Sequence, residues 1–342
     1  MISIRSNFFY TRTVPCELWH FDRAKPLERR DKVLMLDARN VYRKVTRKIY
    51  DFSPEQMRNL AAIVWLYRGL RERFLALVKD YLAHVCAESA AVPGTLTPFE
   101  STLADLRGRF DALAKAVATH GDLDTKEKQA LADAVTELRE AATLYEADAK
   151  KLLAGLSAFG QKYSKTLPDK NDVQHAARKV FDGSAEAIRG LIKQVDLLYK
   201  LAARVADLGG ELAADDAVSA AYDRRASGRL VKQLDEERKA AVEQLKHTVY
   251  FQRQVAWLQN RFPKAELEAV AGLVKLVDRK EIEGADWSLT PGRYVGVAPP
   301  EEDENFDFEQ TLRDIHTELA DLNKEAVELA AKIQANFEEL GA

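Results

Sequence analysis

The stretch Ile188-Arg189-Gly190-Leu191-Ile192-Lys193-Gln194-Val195-Asp196-Leu197-Leu198-Tyr199-Lys200-Leu201-Ala202-Ala203-Arg204-Val205 spaces Ile188, Leu191, Val195, Leu198, Ala202 and Val205 at alternating steps of three and four residues. An average step near 3.5 residues is the seam of a helix packed along another helix, each apolar side chain filling a hole on its neighbour. The same alternation runs through Leu103, Leu106, Phe110, Leu113 and Val117. It returns through Leu131, Val135, Leu138, Ala142, Tyr145, Ala149, Leu152 and Leu156, and again through Leu312, Ile315, Leu319, Leu322, Ala326, Leu329 and Ile333. A looser stripe of Leu230, Leu234, Ala241, Leu245 and Val249 marks a further long helix. Breakers stand between these segments at Gly121, Gly160 to Pro168, Gly209-Gly210, Pro263, Pro291-Gly292 and Pro299-Pro300. Short breaks between long helices favour antiparallel neighbours, so residues 96–262 are expected to fold as helical coiled-coil hairpins.

Upstream, Ser53-Pro54-Glu55-Gln56 reads as a helix start: Ser53 as N-cap, proline at the first helical position and Gln56 closing a capping box. Leu60, Ile63, Val64 and Tyr67, then Phe74, Leu77, Val78 and Tyr81, continue an apolar face that Pro93-Gly94 is expected to stop. Residues 51–95 are thus a helical segment. The first fifty residues differ. Thr13 to Phe21 and Lys32 to Asp37 are short, apolar and β-prone, separated by a charged turn carrying Pro26, which suggests a strand pair. Two strands alone are not stable, so the pair is expected to belong to a larger sheet. Everything after residue 51 reads as helix and loop, with residues 263–306 a connector and residues 307–342 a C-terminal helix. The fold class expected is mainly α, with a short N-terminal β-hairpin.

Of the 342 residues, 46% are hydrophobic and 31% charged, the balance of a helix-rich globular chain and not of a disordered one. No run approaches the roughly 20 apolar residues of a membrane span, and the first residues lack a signal-peptide layout, so a cytoplasmic, membrane-free location is expected. Only Cys16 and Cys86 are present, which indicates no disulfide framework. The spacings Cys16 to His20 and His84 to Cys86 are poor zinc signatures, and no metal is expected. The net charge of −3 hides an asymmetry. Residues 1–80 hold 17 Lys and Arg against 9 Asp and Glu, whereas residues 301–340 hold 3 against 13. One end suits phosphate and the other avoids it. Arg39, Arg43, Lys44, Arg47 and Lys48 are the densest cationic run, suited to sequence-independent contact with a DNA backbone; the competing reading is a solvated loop that pairs with local acids.

Three blocks carry a family resemblance: Asn7-Phe8-Phe9-Tyr10-Thr11-Arg12-Thr13-Val14-Pro15-Cys16, the run from Asp37 to Ser53, and Pro291-Gly292-Arg293-Tyr294-Val295-Gly296-Val297. In this order they resemble the modification (methyltransferase) subunit of type I restriction–modification systems. The resemblance implies adenine-N6 DNA methylation with S-adenosylmethionine as donor, and a chain corresponding to the C-terminal part of such a subunit. The family's glycine-containing donor loop and its Asn/Asp-Pro-Pro-Phe/Tyr turn have no counterpart here, since the one Pro-Pro, Pro299-Pro300, lacks both the polar and the aromatic neighbour. No catalytic residue and no cofactor are therefore expected on this chain. By the resemblance, residues 1–50 are the last strands of a doubly wound methyltransferase sheet. Phe8, Phe9, Tyr10 and Thr11 then lie where an extruded base enters, with an aromatic ring as stacking partner; covering the sheet edge is the alternative. The resemblance also gives the C-terminal helix a partner, the DNA-specificity subunit, through Leu312, Ile315, Leu319, Leu322, Leu329 and Ile333. The restriction subunit is an indirect partner and DNA a partner in the assembly. A free-standing coiled-coil scaffold is the competing function, and an enzyme of another type is a third, without a triad, metal cluster or phosphate loop to support it.

Overall fold

The computed structural model describes residues 1–9, 13–46, 48–119, 124–212, 218, 222–298 and, beyond these, Leu319, Ala326, Val327, Leu329, Ala330, Lys332 and Ile333. It divides into two compact units, residues 1–295 and residues 296–342. The first is mainly α: α1 (Pro54–Tyr67), α2 (Arg71–Thr119), α3 (Thr125–Tyr163), α4 (Asn171–Leu212), α5 (Arg224–Arg261) and the short α6 (Arg279–Gly284). Six short strands accompany them: β1 (Ile2–Ile4), β2 (Cys16–Leu18), β3 (Lys32–Asp37), β4 (Arg43–Thr46), β5 (Ile49–Asp51) and β6 (Val274–Asp278).

The four long helices form an up-down-up-down bundle, and polar pairs across each interface fix the directions. Arg107 meets Glu146 at 2.6 Å and Asp111 meets Arg139 at 2.8 Å, so residue numbers rise along α2 while they fall along α3. Asp148 with Gln194 and Glu137 with Arg204 do the same for α3 and α4. Asp182 with Gln252 and Asp196 with Arg238 align α4 against α5, and Glu88 with Gln244 and Thr102 with Gln233 close the ring between α5 and α2. Every position of the three expected seams between Leu103 and Val205 is buried, as are Leu234, Ala241, Leu245 and Val249. Each such Leu or Val removes apolar area worth about 1.5–3 kcal/mol from water, which is what holds helices of this length side by side.

Two expected helix boundaries are corrected. The chain does not stop at Pro93-Gly94: α2 continues through Pro93 and Pro98 to Thr119. A proline in a helix interior removes a hydrogen bond, but Val92, Leu96 and Phe99 are fully buried on the inner face while Pro93 and Pro98 face out, and that packing overrides the local preference. The real break lies earlier. Gly69 has φ +75°, its N–H donates to Leu66 O at 3.0 Å and that of Leu70 to Trp65 O at 2.8 Å, the pair of bonds that closes a helix on a left-handed residue. Likewise Gly209-Gly210 does not end α4, which runs to Leu212; a Cβ on Gly209 would come within 2.5 Å of Leu113, so the glycine permits a close helix approach.

The expected hairpin of residues 13–21 with 32–37 does not form. The main sheet has the order β2-β1-β3-β6, with β1 antiparallel to β2, parallel to β3, and β3 antiparallel to β6. The strand from residues 2–4 inserts between the two expected partners, and a strand 240 residues downstream pairs with Lys32 to Leu36. The sheet is thus assembled within the chain from both of its ends, and residues 263–295 are more than a connector. Met35 and Leu36, consecutive and fully buried, face opposite sides. Leu36 joins the core that continues into the bundle, and Met35 packs with Val277, Ile282 and Val295. A separate two-stranded ribbon, β4 with β5, carries Arg43 opposite Asp51 and Lys44 opposite Tyr50.

Candidate DNA-contact and docking residues

The connection between sheet and bundle gathers most of the residues singled out in the sequence. Asp37, at the end of β3, is 5% exposed and accepts from Arg39: from its backbone N–H at 3.1 Å, its Nε at 2.9 Å and its Nη2 at 2.6 Å. The hydrogen bonds to Asp37 raise the pKa of the Arg39 guanidinium. A Cβ on Gly292 would lie 2.4 Å from Arg39 Nη2 and 3.4 Å from Asp37 Oδ2. The second and third resembling blocks, some 250 residues apart, therefore meet at one ion pair, in which Asp37 is buried and Arg39 half exposed.

The ribbon that follows carries the rest of the cationic run. Arg43 grips Asp51 with two parallel bonds of 2.9 and 2.7 Å; this hydrogen bonding raises the arginine pKa and lowers that of the aspartate. Lys44 and Lys48 are exposed on the same ribbon, and Arg47 lies outside the described residues. Of the five expected DNA-backbone candidates, Arg39 and Arg43 have carboxylate partners.

The aromatic loop is tied to the ribbon. Asn7 adopts φ +64° and its carbonyl accepts from Tyr50 N–H at 3.0 Å. Phe8 packs against Phe52 with ring centroids 4.4 Å apart, while Phe9 is 49% exposed; Tyr10 and Thr11 lie outside the described residues. Residues that the sequence reading missed complete this surface. The Arg5 guanidinium lies 4.3 Å from the Tyr42 ring centroid and 4.5 Å from that of Tyr50, whose rings meet edge to face at 5.1 Å. Cation and ring attract through the ring quadrupole, so Arg5 joins the strand β1 region to the ribbon. The signal was invisible beforehand because the three residues fall on separate segments.

A polar hub anchors α1 to α5. Ser53 caps α1 through the expected box with Gln56. Tyr250 OH donates to Glu55 Oε2 at 2.7 Å and lies 3.0 Å from Ser53 Oγ; its one proton is committed to the carboxylate, so Ser53 donates to it. Burial pushes the Tyr250 phenol up to about 12. Burial also disfavours charge on Glu55, but bonds from Tyr250 and its own N–H, with Arg58 nearby, leave its pKa below the usual carboxylate range. Next to the hub a cleft of about 160 Å³ is lined by Asn40, Gln56, Asn59, Arg253, Gln254 and Trp257. A wider groove of about 380 Å³ opens between α2 and the start of α5.

Among the described residues no group of three or more His, Cys, Asp or Glu is placed to hold a metal ion. Cys16 is half-buried on β2 and Cys86 is buried in α2, both as free thiols. Among the described residues no helix is long and apolar enough to cross a membrane. In the second unit, Leu319, Ala326, Val327, Leu329, Ala330, Lys332 and Ile333 are helical, and Leu319, Val327, Leu329 and Ile333 are exposed by about half or more. Leu312, Ile315 and Leu322 lie outside the described residues. Neither the curated proteins nor the solved structures contain a match to this chain. Residues 1–79, β1 to β3 with the ribbon, α1 and the first turns of α2, match the family model described as N-6 DNA Methylase, which supports kinship of this part with the DNA adenine methyltransferases.

Proposed function

We propose that the chain acts as the C-terminal part of a type I modification subunit, helping to clamp DNA and docking to a specificity subunit, without carrying the methyl-transfer chemistry itself. The observation that supports this best is the match of residues 1–79 to the N-6 DNA methylase family. The contact of Gly292 with the Asp37–Arg39 pair agrees with it, because two blocks of the resemblance are joined in space. In this reading Arg39 and Arg43 are struts that shape the ribbon, and Lys44 and Lys48 present charge to phosphate. Phe9 is the exposed ring available for stacking on an extruded base, with Tyr10 and Thr11 beside it in sequence. The helix bearing Leu319, Leu329 and Ile333 supplies the apolar face for the specificity subunit, through which the restriction subunit is reached.

In this reading S-adenosylmethionine, the family's donor, is not bound by this chain. The cleft beside α1 is smaller than the ~300 Å³ at which small-molecule sites begin, and its amide groups are partly committed to each other, with Asn59 donating to Gln254 at 2.8 Å. The larger groove lies between helices of the bundle and away from the sheet. No catalytic step is assigned to this chain.

The test is a salt titration of duplex DNA binding. Replacing both Lys44 and Lys48 by alanine is expected to weaken binding equally across sequences and to reduce the slope of log affinity against log salt by about 0.9 for each lysine that contacts phosphate. An unchanged slope removes the ribbon from the DNA interface. In parallel, Leu329→Asp with Ile333→Asp is expected to abolish co-elution with the specificity subunit, and self-association without that subunit would favour a scaffold instead.

A further inference from the structure

The cleft between the start of the ribbon, α1 and α5 has a one-sided polarity. Gln56, Asn59 and Gln254 line it, and in each of the three amides the oxygen is spent on the protein. Gln56 Oε1 accepts from the Ser53 backbone N–H at 2.9 Å. Asn59 Oδ1 accepts from the Tyr81 hydroxyl at 3.0 Å, the shorter of that hydroxyl's two contacts, and Gln254 Oε1 accepts from Asn59 Nδ2 at 2.8 Å. The orientation of Gln56 is fixed at both ends, because a backbone N–H only donates and the Tyr42 carbonyl, which takes one of its protons at 2.9 Å, only accepts. Each amide nitrogen carries two protons, so Gln56 and Asn59 have one to spare and Gln254 has two.

The remaining walls have the same character. Trp257 brings an indole N–H and Arg253 a guanidinium, side chains that donate and never accept. Among the described residues that line the cleft Arg253 is the only charged one, and the Arg261 guanidinium stands behind the indole, 4.4 Å from its ring centroid. Glu55, next to Gln56 in the chain, does not line the cleft; its carboxylate is held by Tyr250 at 2.7 Å. Asn40 is exposed at the rim and can turn either end of its amide inward. A volume of about 160 Å³ is too small for a nucleotide-sized ligand but leaves room for a single oxyanion group.

We propose that this cleft is an oxyanion site that takes a phosphate group. Phosphate brings three strong acceptor oxygens to meet the spare N–H groups, and negative charge to meet Arg253. Three chain segments would share it: the loop after β3 through Asn40, α1 through Gln56 and Asn59, and α5 through Arg253, Gln254 and Trp257. Gln56 is also bonded to the Tyr42 carbonyl, so an anion held here fixes the root of the ribbon against both helices. A free phosphate compound and the backbone of a nucleic acid offer the same oxygens. That the phosphate belongs to a DNA strand rests on the proposed function above; the site itself does not.

The probe is inorganic phosphate, exchanged for chloride at constant ionic strength around the full chain. A bound anion raises the melting temperature in step with the logarithm of its concentration. Phosphate also stabilises folded chains generally, through exclusion from their surface, so the reading is the difference between wild type and variants. Gln254→Glu keeps the oxygen that Asn59 needs and sets a second, negative oxygen in place of the NH2 group. It should weaken phosphate binding by about tenfold or more, and Arg253→Gln, at an exposed position, should weaken it as well. Equal shifts in all three chains would overturn the site, as would a wild type without a shift whose DNA affinity is indifferent to Gln254→Glu. Competition between phosphate and duplex DNA, with DNA affinity lowered in Gln254→Glu, assigns the oxygens to a DNA strand. Phosphate binding that DNA leaves undisturbed assigns them to a free phosphate compound, and either result supports the site. An unchanged salt slope in the Lys44 and Lys48 double variant beside working phosphate binding would sink only the DNA role.

Discussion

The carboxylate of Asp37 is nearly inaccessible, and Arg39 is the cation that satisfies it. Removing the arginine leaves that carboxylate with only the backbone N–H of residue 39, so Arg39→Ala is expected to cost about 1–3 kcal/mol. Gly292→Ala acts through the same atoms: the added methyl would displace the guanidinium that lies 2.4 Å away, and it should cost a comparable amount. Because both changes break one pair, they should not add. In an Arg39→Ala background Gly292→Ala should be nearly silent, read as a double-mutant cycle by chemical denaturation. Full additivity would show that the glycine matters for its backbone and not for the ion pair. The sequence marked both blocks as informative but gave no sign that they touch. A glycine's approach to an ion pair some 250 positions away leaves no periodicity, and glycine in a Pro-Gly dipeptide reads as a turn whether or not an arginine leans on it.

Helices were far more legible than strands, for a physical reason. A seam such as Leu131 to Leu156 repeats its signal through several turns, and every member of it is buried. A strand such as Ile2–Ile4 has three residues and no room for a pattern, and nothing within it names its partners, β2 and β3. The prolines of α2 misled the reading because local preference was weighed without the core beneath. With Pro93 exposed on the outer face, Pro93→Ala restores a donor to the helix and loses no buried contact, so it should raise the melting temperature by a few degrees. A fall would mean that the bend at Pro93 is needed to seat Val92 and Leu96. The joint between α1 and α5 is a pH-sensitive element. The Glu55 pKa is depressed in the folded chain, so its contribution is fully present above the ordinary carboxylate pKa and is lost as pH falls from there through the lowered folded value. Glu55→Gln should therefore destabilise the protein at neutral pH and flatten the acid limb of its stability profile, and an acid limb parallel to that of the wild type would exclude the hub as its origin.

At the scale of the whole molecule, the question is whether sheet and bundle are one cooperative body. Four strands of three to six residues are too few to stand alone, and β3 contributes Leu36 to the same buried network as Tyr81, Leu198 and Leu258. The chain crosses this junction twice, once from β3 to α1 and once from α5 to β6, so the sheet cannot detach without opening the core at the end of the bundle. Val274 is the place to test this, being fully buried, paired with Leu36 and part of that network. Val274→Ala removes two methyl groups from a packed site and should cost about 1–3 kcal/mol. If the first unit melts as one body, helical circular dichroism and tryptophan fluorescence will shift to lower denaturant together and keep coincident midpoints. Should the fluorescence midpoint, read with Trp65 and Trp257 of the helices replaced by Phe, move while the helical signal stays, the sheet is an independent layer, and the continuity of the core through Leu36 and Val274 carries no cooperativity.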